Sequence, residues 1–109
     1  MSYKVAVASG DGMVINRHFG RAEQFLIFEV DGEAYRFVEL RANTPACVQW
    51  EHSDEALLRS VKLLSDCSIV LASRIGRGAM EFLNGNGIKT YQAAGFIEDI
   101  LKNIIEKTH

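Results

Sequence analysis

The residue best suited to metal chemistry near the start of the chain is His18, within the stretch INRHFGRAEQF. A neutral imidazole is a common ligand for transition metals and for iron in proteins. Arg17 and Arg21 flank this histidine, so a ligand captured there would meet positive charge. The same histidine could instead cap a backbone turn while Phe19 fills the core. The residue types alone leave both interpretations open.

Two cysteines could supply a second ligand. Cys47 and Cys67 do not form a CxxC pair, and in a reducing compartment they are expected as thiols rather than as a disulfide. Cys47 follows Pro45 in a stretch without clear periodicity, where its thiolate could bind iron or be an incidental surface group. Cys67 precedes an apolar run, so we expect it to pack as a small core residue.

A second cationic pair, Arg74 and Arg77, flanks Gly76 in the segment SRIGRG. A helix that starts at this glycine would offer bare backbone amides to an anion. Taken singly, each arginine is explained by solvation at the protein surface. Four arginines in two neighbouring loops, however, indicate a positive rim around a binding site.

Composition limits the classes of protein that need to be considered. The chain has 109 residues and 48% hydrophobic content, which predicts a single domain over residues 1–109. Its net charge of -2 lacks the basic excess typical of nucleic-acid binding, so no nucleic-acid partner is predicted. No stretch approaches the roughly 20 apolar residues of a spanning helix, and the N-terminal apolar run is too short for a signal peptide. We therefore expect a cytoplasmic protein without a membrane partner.

The elements that position these residues follow from periodicity and turn residues. The predicted order is a strand at Tyr3–Ser9, a hairpin of Gln24–Val30 and Ala34–Arg41, a loop at 42–52, a helix capped by Ser53, a strand at SIVLAS, a helix opened by Gly76 and Gly78, a weaker strand at IKTYQA, and a final helix. The final helix is predicted to carry an apolar stripe of Phe96, Ile97, Ile100, Leu101, Ile104 and Ile105.

This order predicts an α/β fold with a five-stranded mixed sheet and helices on its faces, because strands that alternate with helices are joined by parallel crossovers. In open α/β sheets the ligand lies beyond the carboxyl ends of the parallel strands. The segments SGDGMVINRHFGR and SRIGRG follow two such strands, and we expect them to be adjacent.

No enzyme is predicted. The segment SGDG lacks the lysine and hydroxyl residue of a phosphate-binding P-loop, and GRG is not a full dinucleotide fingerprint. A two-metal nuclease would need carboxylates on the central strands, which YKVAVAS and SIVLAS do not contain. Asp11 is the one acidic residue of the first loop, so a hydrolase acting at Gly76 and Gly78 would lack an evident general base.

With these motifs in view, the chain resembles the dinitrogenase iron-molybdenum cofactor biosynthesis family, which includes NifX- and NifY-type carriers and the C-terminal domain of NifB. The resemblance covers nearly the whole length. It rests on VAVASGDGMVINRHFGRAEQFLIFEV, DEALLRSVKLLSDCSIVLASRIGRGAMEFL and GIKTYQAAGFIEDIL. The HFG block and the block from DC to RIG are fairly specific as a pair and weak singly.

The resemblance implies a three-layer ribonuclease H-like fold without nuclease activity. It also implies a non-catalytic carrier that binds the iron-molybdenum cofactor, or its iron-sulfur precursor, and passes it between nitrogenase cofactor assembly proteins. By this resemblance His18 is the leading ligand, and Cys47 is similar to a cysteine of a loop that varies among members. The rim of Arg17, Arg21, Arg74 and Arg77 is inferred separately, from the negative charge of the cluster and its organic acid.

One alternative function of a different class stays open beside the carrier. The same fold could serve as a metal-free regulatory module that binds a protein partner or a small anion through the arginine rim. Iron loading separates the two, because partner binding by such a module would not depend on a bound cluster.

Overall fold

The computed structural model describes residues 2–43, 47–48, 51–52 and 54–108. Over these residues the chain forms nine strands, three helices and one short 3₁₀ turn. In chain order they are β1 (Ser2–Ala8), β2 (Val14–Ile15), the 3₁₀ turn (Phe19–Arg21), β3 (Gln24–Asp31), β4 (Ala34–Ala42), β5 (Cys47–Val48), β6 (Glu51–His52), α1 (Asp54–Leu63), β7 (Ile69–Ala72), α2 (Arg77–Gly85), β8 (Lys89–Gln92), β9 (Gly95–Phe96) and α3 (Ile97–Thr108). The predicted helix cap Ser53 lies outside the described residues.

Five of the strands form one mixed sheet in the order β4-β3-β1-β7-β8. The pairs β4/β3 and β3/β1 are antiparallel, and the pairs β1/β7 and β7/β8 are parallel. The antiparallel pair β3/β4 is closed by the predicted Asp-Gly turn, in which Gly32 has a φ of 63°. The chain enters β7 through α1 and β8 through α2, as parallel pairing requires a crossover connection. The predicted five-stranded mixed sheet is therefore confirmed.

Both faces of the central strands are buried, and alternate residues serve opposite sides of the sheet. One side packs against α1 and α2, the other against α3. The first core layer includes Ala6, Ala8, Val70, Ala72, Val61, Leu64 and Leu83. The second includes Val5, Val7, Ile69, Leu71, Leu101, Ile104 and Ile105. The molecule thus has helices on both faces of the sheet, as expected.

Two predictions about local structure were wrong. The segment 42–52 is not entirely loop, because β5 and β6 pair in an antiparallel hairpin; each strand has only two residues and leaves no periodic signal. Phe96 does not belong to the apolar stripe of the last helix. It lies in β9, paired with Val14 of β2, and is 57% exposed. The extended backbone of β9 turns this ring outward, and the buried stripe begins at Ile97.

Among the described helices, none has the length and apolar character needed to cross a membrane.

Candidate functional site

The two loops singled out in the sequence meet through their backbones. His18 and Arg74 form an isolated parallel bridge. The Phe19 N–H donates to the Arg74 carbonyl oxygen at 2.8 Å, and the Ser73 N–H donates to the Arg17 carbonyl oxygen at 3.0 Å. Both segments follow the carboxyl ends of the parallel strands β1 and β7. The predicted adjacency of these loops is therefore confirmed.

Along the two bridged segments, successive side chains alternate between solvent and the core. Phe19 and Ile75, the next residues on each segment, are buried at 0% and 4% exposure, and the Phe19 ring packs 5.4 Å from the Phe25 ring centroid. His18 and Arg74 are both exposed. His18 occupies the position before the 3₁₀ turn, but its imidazole makes no capping hydrogen bond. The structure thus places an exposed imidazole and an exposed guanidinium at paired positions above a buried anchor.

Arg17 lies against the backbone of the glycine turn that follows β1. A Cβ atom built on Gly10 would come within 2.6 Å of Arg17 Nη2 and 2.9 Å of Arg17 Cζ, so the guanidinium rests in space that only glycine leaves open. The Gly10 N–H also donates to Asn16 Oδ1 at 2.9 Å. Asn16 and Gly10 were not predicted as site residues, although the position of Asn16 directly before Arg17 could have indicated them.

The glycine turn itself is organised by Ser9 and Asp11. Asp11 Oδ1 accepts hydrogen bonds from the N–H groups of Met13 at 2.9 Å and Val14 at 3.1 Å. These backbone donors, Met13 first, lower the pKa of the Asp11 carboxyl group. A carboxylate stabilised in this way is a weaker base, which counts against the hydrolase hypothesis.

The remaining two arginines of the predicted rim differ in their surroundings. Arg21 closes the 3₁₀ turn and is exposed, and its N–H donates to the His18 carbonyl oxygen at 3.0 Å. Arg77 is the first residue of α2 and points along its own helix, where Nε lies 3.5 Å from Glu81 Oε1. Gly76 is the N-cap of α2 without any side-chain cap. Arg77 is thus partly neutralised by Glu81, whereas no such partner is recorded for Arg21 within the described ranges.

Two glutamines support the loops from the sheet, and sequence inspection missed both. Gln92, at the end of β8, accepts the Ile75 N–H through Oε1 at 3.1 Å. Gln24, at the start of β3, donates through Nε2 to the Ser9 carbonyl oxygen at 3.1 Å. Each side chain satisfies a backbone group of a loop that carries a candidate residue. Both side chains therefore support the loops through backbone groups.

Cys47 lies in β5, whose Cα atoms come within 8 Å of those of the 3₁₀ turn that directly follows His18. The chain is tied to this turn just before Cys47. Asn43 donates through Nδ2 to the Ala22 carbonyl oxygen at 2.8 Å and accepts the Ser60 hydroxyl at 3.0 Å. The structure therefore brings the segment of Cys47 to the neighbourhood of His18.

Cys67 belongs to the core, as predicted. It is 4% exposed, and burial raises the pKa of its thiol to about 11. The thiol therefore stays protonated at neutral pH, which makes it a poor metal ligand.

A family model described as dinitrogenase iron-molybdenum cofactor matches residues 1–107. The chain belongs to this family. The family resemblance drawn from the HFG and RIG blocks is therefore confirmed.

Members of the dinitrogenase iron-molybdenum cofactor family are similar to the chain over most of its length. The FeMo cofactor biosynthesis protein NifB of Frankia alni is 36% identical over 103 residues, which cover 92% of this chain and 20% of that protein. NifX of Rhodobacter capsulatus is 36% identical over 76 residues, covering 67% of this chain and 48% of that protein. The crystal structure of PH0822 superposes with a TM-score of 0.72 at 29% identity, covering 95% of this chain and 89% of that one. The chain spans about a fifth of the length of the NifB relatives it matches.

Proposed function

We propose that residues 1–109 form one non-catalytic carrier domain that binds the iron-molybdenum cofactor, or its iron-sulfur precursor, during nitrogenase cofactor assembly. In this proposal the cluster is cargo. His18 and Cys47 ligate it, and Arg17, Arg21, Arg74 and Arg77 attract its negative charge. Cofactor assembly proteins are the partners, and we assign the three-layer fold to the ribonuclease H-like class.

The observation that carries the proposal is the bridge between His18 and Arg74. Backbone hydrogen bonds fix the two positions side by side, and both side chains are exposed. An imidazole can coordinate iron or molybdenum while a neighbouring guanidinium forms charge-assisted hydrogen bonds to sulfide or carboxylate. The donor set therefore fits an anionic metal cluster.

The small number of ligands suits a carrier. One or two protein ligands hold a cluster weakly enough for release to the next protein, whereas a closed site of four cysteines would retain it. The Asp11 carboxylate of the glycine turn after β1 accepts hydrogen bonds from two backbone N–H groups. These features support transfer rather than catalysis.

Anaerobic loading with the isolated cofactor, followed by size-exclusion chromatography and iron analysis, tests the proposal. We expect iron to co-elute with the wild-type protein and to fall at least about tenfold in His18→Ala, the size of loss typical when a metal site is disrupted. The variant should fold, because the bridge uses the backbone of residue 18 rather than its exposed imidazole. Arg36→Ala, which removes an exposed arginine of β4 paired with Glu29, is the matched control and should load normally.

The same experiment separates the carrier from the metal-free module. If His18→Ala loads as much iron as the wild type, the proposed ligand role is wrong. A pull-down with apo and loaded protein completes the comparison. Partners that bind both forms equally would favour the anion- or protein-binding module.

A further inference from the structure

The strand β4 lies at one edge of the five-stranded sheet. Within the described ranges it pairs with β3 and with no other strand. One row of its backbone N–H and C=O groups therefore faces away from the sheet, where a further strand could pair with it. Proteins commonly protect such an edge with proline or with charged side chains. β4 contains no proline, and its two well-exposed charges, Arg36 and Glu39, have opposite signs.

One face of β4 carries apolar side chains that are only partly covered. Phe37 and Leu40 are 53% and 51% exposed. Their register partners on β3, Phe28 and Leu26, belong to the core layer that packs against α3. Tyr35 packs against the same layer. The apolar layer on the α3 side of the sheet thus continues to the edge strand, where it is exposed.

A β-bulge in β4 determines where its two opposite charges point. Val38 is the extra residue of the bulge, because the register with β3 shifts at this position. Glu39 lies opposite Ile27, and Arg36 lies opposite Glu29. These two residues of β3 are two positions apart and share a face of the sheet. Arg36 and Glu39 therefore face the same side, although a regular strand would place residues three apart on opposite sides.

This arrangement allows two β4 strands to pair symmetrically. In a two-fold dimer the same surface patch meets itself, and directly opposite residues of an antiparallel ladder share a face. A two-fold axis that crosses β4 just before Val38 would place Arg36 opposite Glu39 of the second copy. The symmetry repeats this contact, so the edge charges attract each other twice. On the other face, the same axis would place Tyr35 opposite Leu40 of the second copy.

We propose that β4 is a self-association surface, and that two copies of this chain join through antiparallel β4 strands into one continuous sheet. The backbone edges supply hydrogen bonds, and the charge pairs fix the register. Arg36 already donates to Glu29 through Nε and Nη2, but it is 70% exposed, and among the described residues no bond to its Nη1 is found. The inference goes beyond the proposed carrier function and uses none of the residues assigned to the cluster.

Sedimentation velocity of the wild-type protein tests the proposal. A single edge strand forms a small interface, so we expect a dissociation constant on the order of 10–100 μM. The protein should sediment as a monomer at about 1 μM and mostly as a dimer at about 1 mM. Loading and denaturation comparisons made at about 1 μM then refer to monomers, including those with Arg36→Ala.

Charge reversal tests the register of the two strands. Arg36→Glu and Glu39→Arg each place like charges opposite each other twice, so each should weaken self-association at least about tenfold. An equimolar mixture of the two variants should associate at least as tightly as the wild type, because both contacts then join opposite charges. Misfolding of either variant would not produce this rescue. Arg59→Glu, which makes the same charge change at an exposed residue of α1, is the matched control and should dimerise normally.

The apolar face is tested by a second pair of variants. Leu40→Ser removes two apolar side chains from the proposed contact and should weaken the dimer about tenfold. Leu58→Ser, at a 40% exposed position of α1, should leave it unchanged. The proposal is overturned if the wild type stays monomeric up to about 1 mM. It is equally overturned if the mixed charge variants associate no better than each alone, or if Leu40→Ser has no larger effect than Leu58→Ser.

Discussion

Arginines serve two different purposes in this molecule, as Arg41 and the pair Arg17 and Arg74 show. Arg41 is covered to 13% side-chain exposure and donates to Asp66 at 2.7 and 2.8 Å and to the Leu63 carbonyl oxygen at 2.8 Å. Arg17 and Arg74 are exposed. Among the residues that the structure describes, no carboxylate forms an ion pair with either of them.

This difference distinguishes an arginine that stabilises the fold from arginines that are available to a ligand. The Arg41 guanidinium donates its hydrogen bonds within the protein and so joins β4 to the turn between α1 and β7. At the loops after β1 and β7, backbone hydrogen bonds hold the two segments together, and the side chains of Arg17 and Arg74 are exposed. Exposed positive charge without an ion-pair partner among the described residues is available to an anionic ligand.

Of the expected changes in the free energy of unfolding, the largest is for Arg41→Ala. The substitution removes hydrogen bonds to a carboxylate and to the Leu63 carbonyl, so we expect the free energy of unfolding to fall by about 2 kcal/mol. Urea denaturation measures the change. The matched variant Arg36→Ala removes an exposed arginine paired with Glu29 and should cost no more than about 0.5 kcal/mol. Equal losses in the two variants would contradict a structural role specific to Arg41.

Lowering the pH is expected to have a smaller effect on the free energy of unfolding. The Arg41 guanidinium, followed by Lys4, lowers the pKa of the Asp66 carboxyl group below its ordinary value of 3.8. A lowered folded-state pKa contributes stability that is present above the unfolded pKa and lost as pH falls through the folded one. Because the Asp66 side chain is 46% exposed, solvent screening limits this contribution to about 1 kcal/mol.

The variant Asp66→Asn removes the titrating group and isolates this contribution. Between about pH 5 and about pH 2, the wild type should lose roughly 1 kcal/mol more stability in urea denaturation than the variant does. Parallel pH profiles for the two proteins would show that the ion pair adds nothing measurable.

The smallest effect on stability, within about 0.5 kcal/mol, is expected for Gly10→Ala. The new Cβ would displace the guanidinium of Arg17, which is the mobile end of an exposed side chain. Iron retained in the anaerobic loading assay should nevertheless fall about two- to fivefold, a loss of roughly 0.4–1 kcal/mol in binding at 1.4 kcal/mol per tenfold change.

The double variant Gly10→Ala with Arg17→Ala makes this prediction specific. If Gly10 acts only by positioning Arg17, the double variant should lose no more iron than Arg17→Ala alone, because coupled residues are not additive. Gly78→Ala is the matched control, since a Cβ there meets nothing within 4 Å. Additive losses would mean that Gly10 contributes to binding in another way.

Much of the fold was predictable from the sequence because its signals are local. The Asp-Gly turn between two apolar runs indicated the β3/β4 hairpin, and the apolar segments YKVAVAS and SIVLAS indicated the strands β1 and β7. Phe96 was misplaced for a related reason. An aromatic residue directly before a helical stripe fits the helix period, and only its pairing with Val14 in β9 excludes it.

The candidate site was predictable in part. His18 and Arg74 could be assigned to adjacent loops, because carboxyl ends of neighbouring parallel strands meet at one edge of a sheet. The position of Arg17 over Gly10 and the supporting bonds of Gln24 and Gln92 were not predictable. The glutamine contacts join segments that are distant in the sequence, and the Arg17 contact depends on the exact path of one loop, so neither leaves a signal in residue spacing.

By itself, the sequence determined the buried strands, the helical stripes and the family, since each depends on the order of neighbouring residues. Only the tertiary structure decided that His18 stands opposite Arg74 and that Cys47 shares a ladder position with His52. The physical reason is that backbone register between distant segments is set by packing of the whole core, here by Phe19 and Ile75 beneath the bridge.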